Sequence, residues 1–178
     1  MKERTLALDT RISQKLQLKP AIGVLLSACL LPFFVHMIPP HQGVPMGAVL
    51  LPMFYIPFIA VVFFRLHVGL IAAAFAPVLN FLVTGYPQWQ IVTILSFELI
   101  IFVILAAQML KMNPLWWVAA PLGYLGTKVI SAGCLLFIPL LPHMHPLDFL
   151  IQSVSNGLIG ILILALINII VVRYAPKQ

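Results

Sequence analysis

Acidic residues are nearly absent from this chain: 4 Asp and Glu stand against 10 Lys and Arg in 178 residues, and charged residues of either sign make up only 8%. A soluble globular domain carries roughly a quarter charged residues, so that class is excluded. Cysteine is equally scarce. Cys29 and Cys134 both lie inside hydrophobic runs, where they serve as small packing residues and imply nothing about redox compartment. Common enzyme motifs are missing too. There is no Gly-x-Ser-x-Gly elbow and no His-Glu-x-x-His, and Gly123-Tyr-Leu-Gly126-Thr127-Lys128 lacks the spacing of a P-loop. Paired histidines deep within one span, as a haem-bearing bundle needs, are also lacking. The chain is expected to be no enzyme, to carry no cofactor and to hydrolyse no ATP.

What fills the chain instead is apolar sequence: 62% of residues are hydrophobic and the mean hydropathy is +1.11. The few charges gather at the ends. Lys2, Glu3, Arg4, Asp9, Arg11, Lys15 and Lys19 precede Pro20, while Arg173 and Lys177 follow Val172. Only Arg65, Glu98, Lys111, Lys128 and Asp148 serve everything between. A crossing needs about 20 apolar residues, which leaves room for about six. The expected fold is therefore an all-α integral membrane protein, a compact bundle of six transmembrane helices. Loops rich in proline, glycine and histidine place these at about 20–38, 47–64, 66–84, 90–110, 115–138 and 147–172. The transmembrane domain then covers about 20–173, between a basic tail over 1–19 and a short tail over 174–178. Pro52, Pro57 and Pro77 fall within spans, where neighbouring helices can satisfy the freed carbonyls.

Basic residues orient such a bundle, because Lys and Arg accumulate in cytoplasmic segments. An N-in, C-in arrangement puts the basic tail, Arg65, Lys111, Arg173 and Lys177 on the cytoplasmic side. The three outer loops then run His36-Met-Ile-Pro-Pro-His41-Gln-Gly, Thr84-Gly-Tyr-Pro-Gln-Trp89 and Ile138-Pro-Leu-Leu-Pro-His143-Met-His145-Pro, without a Lys or Arg. The pI near 9.7 thus reflects topology and lipid contact, not nucleic-acid binding, which calls for basic residues interleaved with exposed aromatics. Leu26-Ser27-Ala28-Cys29 is similar to a lipobox, yet the apolar run continues past Cys29, so the segment is expected to be a first membrane helix.

An ionisable side chain within a span costs several kcal/mol, which singles out Glu98 and Lys128. Counted inward from the outer ends of their helices they lie roughly 12 and 15 Å deep. Neighbouring antiparallel helices usually pack together, so the two can pair. Such a pair either fixes helix register or lines an outward-facing cavity and engages a polar ligand. Asn80, Thr84, Ser131, Gln152 and Asn156 fall in the same outer half, the last two one turn apart on one helix face. Each alone could merely bond a neighbouring helix; their shared depth is what suggests a pocket. Trp89 and Tyr86 are either interfacial belt residues or an aromatic lid. His36, His41, His143 and His145 lie in or beside the outer loops and could bind a transition metal, though their proline-broken scatter is a weak metal signature. His67, beside Arg65, is a boundary residue. Gly23 and Ser27, four apart, and Gly157 with Gly160 are small patches for helix contact, within the bundle or with a partner.

The stretch Leu51-Pro-Met-Phe-Tyr-Ile-Pro57, followed by Arg65-Leu-His-Val-Gly69-Leu-Ile-Ala-Ala-Ala-Phe-Ala-Pro77-Val-Leu-Asn-Phe-Leu-Val-Thr84-Gly85-Tyr-Pro87, resembles the substrate-binding (S) components of energy-coupling factor (ECF) vitamin transporters. It is similar to the branch associated with pantothenate, hydroxymethylpyrimidine or cobalamin-precursor uptake, in which a helix carrying a glutamate follows; Glu98 matches that glutamate. The resemblance is closest over about 50–105. It implies a subunit of the bacterial or archaeal cytoplasmic membrane that captures a vitamin or precursor outside. Delivery inward would involve a transmembrane coupling subunit and two ATP-binding cassette ATPases. It also implies that Gly23-x-x-x-Ser27, which stands where the family has Ala-x-x-x-Ala, contacts the coupling subunit. Tyr86 and Asn80 stand where the branch has methionine and serine. Two alternatives remain: a metal-ion or proton-coupled secondary transporter using the outer histidines and Glu98, and a noncatalytic subunit of a larger membrane complex.

Overall fold

Proline and glycine decide where the apolar runs break into helices. The computed structural model describes residues 22–41, 43–85, 87–113, 116–138, 140–141 and 144–175; the basic tail over 1–19, Tyr86, His143 and Lys177 lie outside the described residues. Helix α1 spans Ile22–His36. It is followed by α2 (Met46–Leu50), α3 (Pro52–Phe63), α4 (Leu66–Thr84), α5 (Trp89–Met112), α6 (Ala119–Phe137), α7 (Pro146–Asn156) and α8 (Leu158–Tyr174). The one β feature among the described residues is an isolated bridge between His41 and Val44, closing a turn in which Gly43 takes a positive φ of 80°.

Among the described residues, four stretches are long and apolar enough to cross a membrane: Met46–Phe63, Leu66–Thr84, Trp89–Met112 and Ala119–Phe137. A fifth is the pair α7–α8, if its two bent halves count as one span; α1 is apolar but shorter. The described part of the chain is thus all-helical, with four or five long apolar helices.

Two of the expected spans are interrupted. The span over 47–64 breaks at Leu51, which adopts the left-handed conformation (φ 53°, ψ 40°). Pro52 is the reason: the residue before proline is driven from the right-handed helical region, and proline has no N–H to continue the ladder. A left-handed non-glycine residue costs roughly 1–2 kcal/mol. Leu51 offsets that by burial at 6% exposure and by a close fit against α8. The span over 147–172 breaks at Gly157, where α7 and α8 meet at a bend of 61°. A Cβ at Gly157 would stand 2.8 Å from the Ser153 carbonyl oxygen and 3.1 Å from the Tyr124 hydroxyl, so only glycine lets the turn close there.

Two cores hold the bundle. The larger centres on Phe54, Phe58, Leu99, Phe102, Tyr124 and Leu164, with Phe54 edge-on to both Phe102 (5.1 Å) and Tyr124 (5.0 Å). Aromatic pairs in this geometry add about 0.5–1.5 kcal/mol each beyond their burial. The smaller core joins Val24 and Ala28 of α1 to Ala60 of α3 and Val68, Ala72 and Ala76 of α4. Small residues let these backbones approach closely. At Gly69, a Cβ would fall 2.5 Å from Val61 Cγ2.

The distribution of polarity is the reverse of that in a water-soluble bundle. Leu26, Phe34, Leu82, Leu162 and Leu166 face outward, while Asn80, Glu98, Thr127, Lys128, Ser131 and Asn168 are buried. Lipid is the solvent that this arrangement suits.

Candidate functional site

α5, the longest helix, packs between α4 and α6 and also contacts α3. That packing turns Glu98 of α5 and Lys128 of α6 toward each other. Lys128 Nζ donates to Glu98 Oε2 over 2.7 Å, with the residues only 6% and 1% exposed. Both side chains line a cavity of about 750 Å³. The ammonium also lies over two rings, 5.5 Å from the centre of Tyr124 and 5.0 Å from that of Phe149. Its charge is therefore compensated by one carboxylate and two aromatic faces. Glu98 is less fully satisfied: Oε1 is buried and has no hydrogen-bond donor. The Ser131 hydroxyl sits beside the carboxylate but closes no hydrogen bond to it in this geometry.

The cavity lies between the start of α3, α5, α6 and α7. Pro45, Pro87, Gln88, Leu140, Leu141 and Met144 bring the connecting segments to it, and His36 the end of α1. Phe54 and Tyr124 form part of its wall and continue into the aromatic core. α7 contributes Phe149, Gln152, Ser153 and Asn156, whose i, i+3, i+4, i+7 spacing puts them on one helix face. Tyr124 ties this helix down by donating its hydroxyl to the Ser153 carbonyl at 3.1 Å.

Of the residues expected from sequence, Glu98, Lys128, Gln152 and Asn156 line this one cavity, and His36 joins them. Asn80, Thr84, Trp89 and Ser131 do not. α4 packs on α3 and α5, away from the α6–α7 side. There Thr84 donates its hydroxyl to the Asn80 carbonyl at 2.7 Å, with Asn80 buried. Trp89 is 56% exposed and turned onto Phe81, with ring centres 5.5 Å apart. Ser131 is buried beside the Glu98 carboxylate. Equal depth along neighbouring helices placed all of these at one level, but the direction in which each helix faces separates them.

Three of the described histidines take part in local structure. His36 donates its Nδ1–H to the Pro32 carbonyl at 2.7 Å, which leaves Nε2 as an acceptor in the neutral ring. His41 makes its turn through backbone bonds to Val44, and His145 Nδ1 accepts from the Leu147 N–H to cap α7. No group of three or more His, Cys, Asp or Glu among the described residues could hold a metal ion. Gly23 and Ser27 lie on the exposed face of α1, with open space around Gly23.

Several lining residues escaped sequence reasoning. Tyr124 stands one helical turn before Lys128, and Phe149 extends the face marked by Gln152 and Asn156; both spacings carried the signal. Gln88 and Gln90 flank Trp89 without any pattern to mark them. Asn168 had no local signal either. From α8 it accepts from the Ala120 N–H (2.7 Å) and donates to the Trp116 carbonyl (3.0 Å), capping α6 from 48 residues away. No protein-family model, curated protein or solved structure matches the chain.

Proposed function

We propose that the chain is the solute-capturing membrane subunit of an importer of the ECF type, binding a vitamin or cofactor precursor in the cavity beside Glu98 and Lys128. The observation that carries this reading is a buried ion pair that opens onto a cavity instead of being sealed in the core. A pair needed only for helix register would be enclosed by packing; both members of this one line a cavity large enough for a small organic solute, and one carboxylate oxygen is buried without a donor.

In the proposed topology α1 and the bent pair α7–α8 complete six crossings, with both termini cytoplasmic. The segments 37–45, 85–88 and 138–145, from which Pro45, Pro87, Gln88, Leu140, Leu141 and Met144 reach the cavity, hold no Lys or Arg, whereas Arg65, Lys111 and Arg173 stand at the opposite helix ends. By the positive-inside tendency the cavity opens outward. The absence of an ATP-binding motif requires an external energy source, which a transmembrane coupling subunit and two ATP-binding cassette ATPases would supply. Gly23 and Ser27, exposed on α1, are the proposed contact with the coupling subunit. The membrane would be the cytoplasmic membrane of a bacterium or archaeon.

The test is affinity purification of the tagged chain from its native membranes in mild detergent, with mass spectrometry of the proteins that accompany it. Co-elution of one polytopic membrane subunit and ATP-binding cassette ATPases is the expected result. Purification without ATPase partners, together with solute uptake that survives their deletion, would show that the reading is wrong.

A further inference from the structure

The solute class follows from the charge balance of the cavity, and the argument rests on the capture reading above. Glu98 and Lys128 are the only formally charged side chains among the described lining residues, and they neutralise each other. A carboxylate or phosphate brought to Lys128 would set a second negative charge against Glu98, and no Arg or second Lys is among the described lining residues to balance it. A cation brought to Glu98 meets Lys128 at the same range. In a low-dielectric site either excess charge is strongly disfavoured.

What the pair leaves over is uncharged hydrogen-bonding capacity. Glu98 Oε1 is buried, with no donor and no exposed surface of its own, so the free capacity of the pair lies on the ammonium. Lys128 Nζ has three donors, of which Glu98 Oε2 takes one. The donors left on the ammonium match a carbonyl or ring-nitrogen acceptor on the solute, and an N–H adjoining it, as in a lactam or a primary amide, finds its acceptor among the amide carbonyls of the wall. The remaining polar wall agrees, since Gln152 and Asn156 of α7 and Gln88 and Gln90 at the start of α5 present neutral amides.

We infer that the cavity binds a formally uncharged solute with such an N–H/acceptor edge and discriminates against carboxylated, phosphorylated or protonated forms of it. The test uses the full chain expressed in rich medium and purified into lipid nanodiscs. Small molecules released by denaturation are identified by mass spectrometry against empty nanodiscs. The expected result is a solute that is uncharged at neutral pH and carries an amide-type edge. In Glu98→Gln/Lys128→Met, which removes both charges and so leaves none uncompensated, its retention should fall by about tenfold or more. A recovered solute that is anionic, cationic or zwitterionic, or retention unchanged in the double variant, overturns the inference while leaving the capture reading in place. Recovery of nothing above background overturns both. The charge of the solute is read from the unaltered protein, so a poorly folding variant does not block the test.

Discussion

The Cγ of Leu51 lies 2.6 Å from the point where a Cβ on Gly160 would stand, and the Val49 carbonyl oxygen and Leu50 carbonyl carbon lie 2.8 Å from it. The break between α2 and α3 is therefore seated directly on the α8 backbone. Two features that look unrelated in sequence, a left-handed leucine before a proline and a glycine more than a hundred residues later, are one contact.

Gly160→Ala should consequently destabilise the bundle by about 1–3 kcal/mol, because backbone atoms, unlike a flexible side-chain tip, cannot move aside cheaply. Thermal unfolding in detergent would register it. Gly133→Ala is the control, with nothing within 4 Å of its would-be Cβ, and it should melt with the unaltered protein.

Breaking the Glu98–Lys128 pair from either side leaves a buried charge without its partner. Glu98→Gln or Lys128→Met alone should each cost about 3–5 kcal/mol, and the double variant should recover most of the loss. A double-mutant cycle on unfolding free energies checks this. Additive losses would show that the two side chains are not coupled.

Asn168→Leu removes the acceptor for the Ala120 N–H and the donor to the Trp116 carbonyl while preserving apolar volume. The expected loss is about 2 kcal/mol. Hydrogen exchange should rise first in the initial turn of α6, where no residue of that helix's own N-terminus supplies a side-chain cap.

Tyr124→Phe keeps the ring against Phe54 but deletes the hydroxyl that holds Ser153. The fold should lose about 1 kcal/mol. The larger effect should be faster hydrogen exchange across α7, which has no buried side chain of its own. Unchanged exchange there would show that the bond does not restrain the helix.

Gly23→Phe probes the proposed partner face. The space around Gly23 is open, so the isolated chain should keep its melting temperature, whereas recovery of the coupling subunit in purification from membranes should fall. Equal recovery would remove this face of α1 from the interface.

The amino-acid sequence by itself determined the class of molecule, because charge and hydropathy report the solvent in which a chain can bury its surface. It also singled out Glu98 and Lys128, since a charge within an apolar run stands out wherever it occurs, and their depth follows from a constant rise per residue. Which way a side chain faces does not follow from depth. Counting along the helices puts Asn80 and Thr84 at the level of the pair, yet α4 packs toward α3 and α5, and neither residue lines the cavity. Gln152 and Asn156 reach it because α7 lies over α6. The bend at Gly157 and the capping by Asn168 were likewise decided by tertiary contacts. Both satisfy backbone and steric demands through residues distant in sequence, and no local pattern encodes a partner that only packing brings near.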